Sequence, residues 1–211
     1  LRLAHEIKNP LTPIQLSAER LAVKLEGKLD GADQDTLRRG TQTIVTQVAA
    51  MKSMVDDFAI YARSPRPGQA QLVDVKSLLQ DVLGLYENLR PQIKLSLPDA
   101  PVVVQGEPTR LRQVLHNLLQ NAIDAQADVA DPAYEIALDA HNGEAALAFT
   151  DRGPGFAETV LKHSFETYVT TKTKGTGLGL AIVKQIVEEH GGRASLENVA
   201  PRGARVTVVF P

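Results

Sequence analysis

Two segments near opposite ends of the chain combine residue types that suit phosphoryl chemistry. Residues 175–180 read GTGLGL and follow a second glycine-containing segment, DRGPG, at residues 151–155. Residues 5–10 read HEIKNP. Glycines let backbone N–H groups approach a polyphosphate, and an exposed imidazole can carry a phosphoryl group as a covalent intermediate. Together the segments predict a phosphate donor site and a phosphate acceptor.

The acceptor is expected on the first helix of the chain. The apolar seam of this helix places His5 on the outside, with Asn9 one turn later on the same face. A histidine with a pKa of about 6.5 can present a neutral nitrogen nucleophile, and the neighbouring Glu6 can take the released proton. His5 is thus the candidate nucleophile and Glu6 its base. The alternative is that His5 is an ordinary surface histidine.

A predicted helix over residues 108–127 carries polar groups for a second site. Asn117 and Asn121 are one turn apart, with Asp124 nearby, and amide oxygens suit Mg²⁺ when phosphates complete its coordination. Asp151, at the end of a predicted strand, can accept a hydrogen bond from an exocyclic amine and so select adenine. The alternatives are surface asparagines on an amphipathic helix and an ordinary turn after Asp151.

The segment before the glycine run is predicted to be a mobile lid. Residues 165–174 are rich in Thr and Lys, and Lys172 could meet a phosphate. Gly175, Gly177 and Gly179 then lead into a predicted helix over residues 180–190, whose N-terminus favours anions. No Gly-Lys-Ser/Thr ends the run, and no strand–Gly-x-Gly-x-x-Gly–helix unit opens the domain. The P-loop and Rossmann sites are therefore excluded.

Composition excludes several other classes of function. The 211 residues carry a net charge of −2 without a massed basic face, so nothing favours nucleic acid as a partner. The chain has no cysteine, which excludes disulfides and thiolate metal sites. No apolar run reaches the roughly 18 residues needed to span a bilayer, so we expect no membrane contact by this part. A helical pattern that is already running at Leu1 suggests a fragment whose upstream membrane or sensor segments are missing.

The first 63 residues are predicted to form a helical hairpin. Two apolar seams with spacings of three and four flank a polar break at residues 27–31. Since an isolated pair of helices buries such seams poorly, we expect a homodimer with a four-helix bundle. The alternative is a hairpin that packs on its own downstream domain. The first seam is Ala4, Ile7, Leu11, Ile14, Ala18, Leu21 and Leu25, and the second is Leu37, Thr41, Ile44, Val48, Met51, Val55, Phe58 and Ala62.

The proline-containing residues 64–69 are predicted to be a linker, and residues 70–211 a second domain. Helices are expected over residues 76–89, 108–127 and 180–190. Strands are expected over residues 93–97, 102–104, 134–140, 145–150, 193–198 and 204–210. This mixture predicts a two-layer α/β sandwich, and the whole chain an α+β fold.

Five motifs, taken in order, resemble the H, N, G1, F and G2 boxes of two-component sensor histidine kinases, and the stretch 5–20 is most similar to nitrogen-regulation kinases of the NtrY type. They are residues 5–10, HEIKNP; 117–122, NLLQNA; 151–155, DRGPG; Phe165 with the TTK of 170–172; and 175–180, GTGLGL. The resemblance covers almost the whole chain. It implies a dimerisation and phosphoacceptor domain followed by a catalytic domain of the Bergerat (GHKL) ATP-binding fold.

The resemblance also implies a role for each matching residue. His5 would take the γ-phosphoryl group of ATP with help from Glu6, and Asn9 would orient water for dephosphorylation of the response regulator. Asn121 would hold Mg²⁺, and Asp151 would bind adenine. The nucleotide site as a whole would comprise Asn117, Asn121, Asp124, Asp151, Gly153, Gly155, Thr171, Lys172, Gly175, Thr176, Gly177, Leu178 and Gly179.

By the same resemblance, the phosphoryl group would pass from His5 to an aspartate on the receiver domain of a response regulator. The full-length protein would be anchored in the bacterial inner membrane with this part in the cytoplasm. Two other readings stay open on the residues. One is a Bergerat-fold ATPase of another kind, such as a chaperone or topoisomerase module. The other is a dimeric scaffold with an inactive nucleotide pocket.

Overall fold

Two long helices form the first unit of the computed structural model. The structure describes residues 2–61, 70–162, 165 and 177–211, without the side chains of residues 2–6, 50, 53, 54, 56–61, 160 and 162. Helix α1 spans Arg2–Leu25 and α2 spans Gly31–Tyr61. Lys52 of α2 donates a hydrogen bond of 2.8 Å to Gln15 of α1, so the helices run antiparallel. The predicted hairpin is confirmed.

Only part of each apolar seam is buried within the hairpin. Leu11 and Ala18 of α1 are buried, as are Thr41 and Val48 of α2. The alternate members of the two seams lie on the surface and form an apolar face of Ile7, Ile14, Leu21, Ile44 and Met51, each between 41% and 51% exposed. One hairpin therefore leaves about half of its apolar seam in contact with solvent.

The chain divides into two units, Leu1–Ser64 and Pro65–Pro211. The predicted linker, 64–69, lies outside the described residues. In the second unit the helices are α3 (Val75–Gly84), α4 (Pro108–Ala125), α5 (Glu158–Lys162) and α6 (Gly179–Glu189). The strands are β1 (Gln71–Asp74), β2 (Ile93–Ser96), β3 (Val103–Gly106), β4 (Tyr134–His141), β5 (Glu144–Asp151), β6 (Arg193–Asn198) and β7 (Ala204–Phe210).

Strands β2, β4, β5, β7 and β6 form one sheet in that order, and β1 pairs with β3 in a separate ribbon. Only β2 and β4 are parallel in the larger sheet; its other pairs are antiparallel. Ile136, Leu147 and Val208 point to the buried face, and the apolar sides of α4 and α6 are also buried. The predicted two-layer sandwich is confirmed. The predicted helix over 76–89 was too long: it ends at Gly84, and a 3₁₀ helix containing Pro91 follows over Glu87–Gln92.

His190 joins the end of α6 to the start of α4. Its Nε2 accepts a hydrogen bond of 3.1 Å from the backbone N–H of Glu107, and its Nδ1 donates one of 2.6 Å to the carbonyl of Ile186. A Cβ at Gly106 would lie 2.7 Å from the imidazole ring, so only glycine leaves room for the ring there. This contact helps to hold together the two helices that carry the candidate site, as does the ion pair of Arg110 with Glu189.

We predict that His190→Ala destabilises the second unit. The substitution removes two side-chain hydrogen bonds and takes the imidazole acceptor away from the half-buried backbone N–H of Glu107, which costs about 1–3 kcal/mol of unfolding free energy. Urea unfolding followed by circular dichroism measures this loss. The control is His141→Ala, at the exposed end of β4. Equal midpoints for His190→Ala and the wild type would contradict the role given to His190.

A second contact holds α4 against the segment that follows α3. The hydroxyl of Tyr86 and Nδ1 of His116 are 3.3 Å apart, and the two rings are tilted by 51°. Burial lowers the pKa of His116 from its ordinary value of 6.5, and the positive charge of Arg112 lowers it further. The neutral imidazole is therefore the form that the fold prefers at this position.

We predict that His116 makes the protein less stable in acid. Because the folded state takes up a proton at His116 less readily than the unfolded chain does, the free energy of unfolding falls as the pH drops below about 6.5. In His116→Gln this fall, measured by urea unfolding from about pH 7.5 to pH 5, is expected to be smaller than in the wild type. His141→Gln is the control. An undiminished fall in His116→Gln would contradict the assignment.

Candidate functional site

The middle of α4 and the N-terminus of α6 meet through two asparagines and a glycine. The side-chain amide of Asn117 donates a hydrogen bond of 3.4 Å to the carbonyl of Gly179. A Cβ at Gly179 would lie 3.5 Å and 3.6 Å from the two polar atoms of the Asn121 carboxamide. Both asparagines therefore face the start of α6, as expected for residues one turn apart on one side of a helix.

The N-terminus of α6 offers backbone donors to an anion. Helix α6 begins at Gly179, its N-cap residue Leu178 makes no side-chain capping bond, and its first turn has no acidic residue. Leu178 is 2% exposed and anchors this end of the helix in the core. Gly177, with φ of +67°, adopts the left-handed conformation that favours glycine. The N–H groups in the first turn of a helix and the helix dipole together favour a phosphate here.

The other end of the site is a carboxylate at the end of β5. Strand β5 ends at Asp151, as predicted, and this residue is 7% exposed. Its Oδ1 accepts a hydrogen bond of 2.7 Å from the backbone N–H of Gly153. Burial raises the pKa of the Tyr134 hydroxyl, with a smaller contribution from the negative charge of Asp151. Asp151 is thus a buried acceptor held by the loop that follows it.

The loop after Asp151 rests on the C-terminal end of α4. A Cβ at Gly153 would lie 2.7 Å from the carbonyl oxygen of Ala125 and 2.9 Å from Oδ1 of Asp151. Gly155 has φ of +82°, which a residue with a side chain adopts only with strain. Both glycines are therefore required by the backbone. Helix α4 carries Asn117 and Asn121 one turn apart, and its last residue, Ala125, supports the loop that follows Asp151.

Asp124 lies on the exposed part of α4. It accepts a hydrogen bond of 2.7 Å from the side chain of Gln120. Its charge contributes to the raised pKa of the Tyr86 hydroxyl, for which burial is the larger cause. Asp124 is about one turn from Asn121 along α4.

Several predicted site residues lie outside the part of the chain that the structure describes. They are Thr171, Lys172, Gly175 and Thr176, together with most of the predicted lid. His5 and Glu6 belong to α1 by their backbone, and their side chains are not described. Asn9 lies on the exposed surface of α1. The roles of all these residues stay predictions.

The donor atoms around Asn121 suit Mg²⁺ only in the company of a phosphate. Among the described residues, no group of three or more His, Cys, Asp or Glu side chains is arranged to hold a metal ion. An asparagine oxygen is a hard donor, and Mg²⁺ commonly takes one or two protein oxygens while phosphates and waters fill the remaining positions. The residues present therefore fit a magnesium ion that arrives with a polyphosphate.

Two residues, one at the end of β6 and one in the turn before β7, contact the Asp151 loop and were not predicted from the sequence. They are Asn198, which bonds to Phe156, and Gly203, which lies against Asp151. The pairing of β7 with β5 brings this turn beside the loop, although 42 positions separate Asn198 from Phe156. An asparagine at a strand end, shortly before a Pro-Arg-Gly turn, was the available signal.

The chain matches two protein families. Residues 106–211 match the histidine kinase-, DNA gyrase B-, and HSP90-like ATPase family, and residues 2–66 match the His Kinase A (phospho-acceptor) domain. Nitrogen regulation protein NtrY of Azorhizobium caulinodans is 38% identical over 96% of this chain and 27% of that protein. The C4-dicarboxylate transport sensor protein DctB of Pseudomonas aeruginosa is 36% identical over 97% of this chain and 34% of that protein. The chain thus spans about a quarter to a third of the length of these relatives.

Solved structures are similar to this chain over one or both units. The catalytic domain of histidine kinase ThkA is 30% identical, with a TM-score of 0.60 over 67% of this chain and 95% of that one. ThkA in complex with response regulator protein TrrA is 26% identical, with a TM-score of 0.68 over 100% of this chain and 60% of that one. Full-length ShkA in complex with AMPPNP is 25% identical, with a TM-score of 0.71 over 100% of this chain and 44% of that one. With both family matches in chain order, this chain belongs to the two-component sensor histidine kinases and resembles those of the NtrY type.

Proposed function

We propose that this chain is the catalytic core of a sensor histidine kinase, which transfers the γ-phosphoryl group of ATP to His5 and then to an aspartate of a response regulator. The observation that carries the proposal is the buried carboxylate of Asp151, which the N–H of Gly153 holds in place. Gly153 lies against the end of α4, the helix that also presents Asn117 and Asn121 to the N-terminus of α6. A purine nucleotide requires a hydrogen-bond acceptor for its base and a helix N-terminus for its phosphates, and here both contact α4.

Asp151 serves the adenine end of the site. A carboxylate accepts hydrogen bonds and donates none, so it suits the exocyclic amine of adenine and opposes the carbonyl oxygen that guanine has at the same position. Because Asp151 is buried, a base with no hydrogen-bond donor at this position would cover the carboxylate without bonding to it, which is unfavourable. Selection of ATP over GTP follows from this one residue.

The phosphate end is served by the N-terminus of α6 and the asparagines of α4. Backbone N–H groups at residues 177–179 would bind the phosphates, with Thr171, Lys172, Gly175 and Thr176 as further contacts. The amide oxygen of Asn121 would hold Mg²⁺, which when bound neutralises part of the phosphate charge. Asn117 keeps the start of α6 in place through its bond to Gly179.

Phosphoryl transfer would proceed by in-line attack of a neutral ring nitrogen of His5 on the γ-phosphorus. The N–P bond forms as the bond between the γ-phosphorus and the β–γ bridging oxygen breaks, and ADP leaves. Glu6 accepts the proton that the imidazole loses. Because His5 and the nucleotide site belong to different units, the linker must let one unit reach the other.

The partners we propose are a second copy of the chain and a receiver domain. The exposed seam on the hairpin, which includes Ile14 and Met51, supports pairing of two hairpins into a four-helix bundle. Similarity to ThkA in complex with response regulator protein TrrA supports the receiver. Asn9, exposed one turn after His5, would orient water for dephosphorylation of that regulator.

We place the full-length protein in the bacterial inner membrane, with this part on the cytoplasmic side. The support is similarity to sensor kinases and the need of the reaction for ATP. Within the described residues, none of the helices combines the length and the hydropathy that crossing a bilayer demands.

We predict that His5→Gln abolishes the acid-labile, alkali-stable label that the chain acquires from ATP labelled at the γ-phosphate. Glutamine is of similar size but has no ring nitrogen to form the N–P bond. His141→Gln, at the exposed end of β4, is the matched control and should retain the label. Label of this stability on His5→Gln would show that another residue is the acceptor.

We predict that Asp151→Asn weakens ATP binding by about 10- to 100-fold while GTP binding changes little, because a hydrogen bond to a charged group contributes about 1.5–3 kcal/mol. Isothermal titration with Mg²⁺ present measures both affinities. Asp139→Asn, exposed on β4, is the control. An unchanged ATP affinity in Asp151→Asn would contradict adenine recognition by this residue.

A further inference from the structure

Asn198, the last residue of β6, clamps the far end of the loop that follows Asp151. Its Oδ1 accepts a hydrogen bond of 2.7 Å from the backbone N–H of Phe156, and its Nδ2 donates one of 2.9 Å to the carbonyl of Phe156. One carboxamide thus satisfies both backbone groups of a single residue. Asn198 is otherwise exposed, so these two bonds, rather than packing in the core, account for its position.

Gly155 and Asn198 are matched to each other. A Cβ at Gly155 would lie 2.8 Å from Oδ1 of Asn198, so a larger residue there would displace the carboxamide. The pair of bonds also restricts position 198. A hydroxyl is too short to bond both groups of Phe156 from that backbone, and a carboxylate has no donor for the carbonyl. Asparagine meets both requirements.

The same turn also touches the near end of the loop. The N–H of Val199 donates a hydrogen bond of 3.0 Å to the carbonyl of Gly203, which closes the turn between β6 and β7. Gly203 has φ of +135°, and a Cβ there would lie 2.0 Å from the carbonyl oxygen of Asp151. The end of β6 and the turn therefore contact the loop at both of its ends, Asp151 and Phe156. The segment between these contacts, residues 151–156, includes Gly153.

We propose that Asn198 is a positioning residue for adenine recognition. By fixing Phe156 it limits the conformations of residues 152–155, and so it keeps the N–H of Gly153 on Oδ1 of Asp151. A carboxylate held in one orientation binds the amine without first being ordered, which is the benefit of preorganisation. This inference rests on the proposed function, since it assumes that Asp151 receives the base.

The test compares two nucleotides that differ only in the group that Asp151 would bind. ATP has the exocyclic 6-amine, and purine riboside triphosphate has hydrogen in its place. Their dissociation constants are measured on the whole chain with Mg²⁺, by displacement of a fluorescent nucleotide, for the wild type and Asn198→Ala. The ratio of the two constants isolates recognition of the amine from binding of the ribose and phosphates.

We expect the wild type to prefer ATP by about 10- to 100-fold, the range for a hydrogen bond to a charged group. In Asn198→Ala the preference should fall by at least about threefold, with purine riboside triphosphate bound nearly as before. If Asn198→Ala is too unstable to purify, Asn198→Asp takes its place. The same narrowing is expected there, because a second oxygen would face the carbonyl of Phe156.

His190→Ala is the control for general loss of stability. It also removes two hydrogen bonds between a side chain and the backbone, but at the opposite end of α6 from Gly179. A purely structural effect would weaken the binding of both nucleotides equally in Asn198→Ala and in His190→Ala. The ratio of the two dissociation constants would then stay unchanged. An unchanged ratio in a folded Asn198 variant, beside a clear ATP preference in the wild type, would overturn the positioning role alone. Absence of any ATP preference in the wild type would overturn the adenine assignment and this inference with it.

Discussion

The site depends on the packing of one helix, α4. Its buried side holds the helix on the sheet through Leu111, Val114, Leu115, Leu118 and Leu119. Its other side presents Asn117 and Asn121 to the start of α6, and its last residue, Ala125, supports Gly153. Because the rise of an α-helix is about 1.5 Å per residue, the spacing of these contacts along α4 sets the separation of the proposed phosphate end from the proposed adenine end. A shift of α4 would move both together.

Under the proposed function, the phosphoryl acceptor and the nucleotide site belong to different units of the chain. The hairpin leaves an apolar face open and places Asn9 on its surface, while the second unit encloses Asp151 and the end of α6. Neither unit would then contain both of the proposed reacting groups. An aspartate buried at a strand end suits a tightly held base, whereas an acceptor on an exposed helix suits a group that must also meet a separate protein. The division therefore follows from the two transfers that the proposed function requires.

The sequence predicted most of the fold because most elements have their own periodicity. The two seams located α1 and α2, and alternation located β6 and β7 to the residue. Strand β1 and helix α5 were missed. Strand β1 has only four residues and is stabilised by pairing with β3, about thirty positions later, which local pattern does not reveal. Helix α5 has five residues, too few for a periodic signal.

The candidate site was predictable where motifs coincide with the ends of elements. Asp151 at the end of β5 and the two asparagines on α4 lie where their spacing indicated. The contacts of Asn198 and Gly203 with the Asp151 loop were missed: an asparagine at a strand end indicates a turn, but which loop it contacts follows from strand order. Ala125 offers only a carbonyl, and a residue type says nothing about such a contact.

A crystal structure of the chain with Mg²⁺ and a non-hydrolysable ATP analogue would show directly whether Asp151 and the N-terminus of α6 bind the two ends of one nucleotide. We expect the 6-amine of adenine within hydrogen-bond distance of the Asp151 carboxylate, the phosphates at the N-terminus of α6, and the metal ion on the amide oxygen of Asn121. A nucleotide bound with its base away from Asp151, or with its phosphates away from residues 177–179, would contradict this expectation.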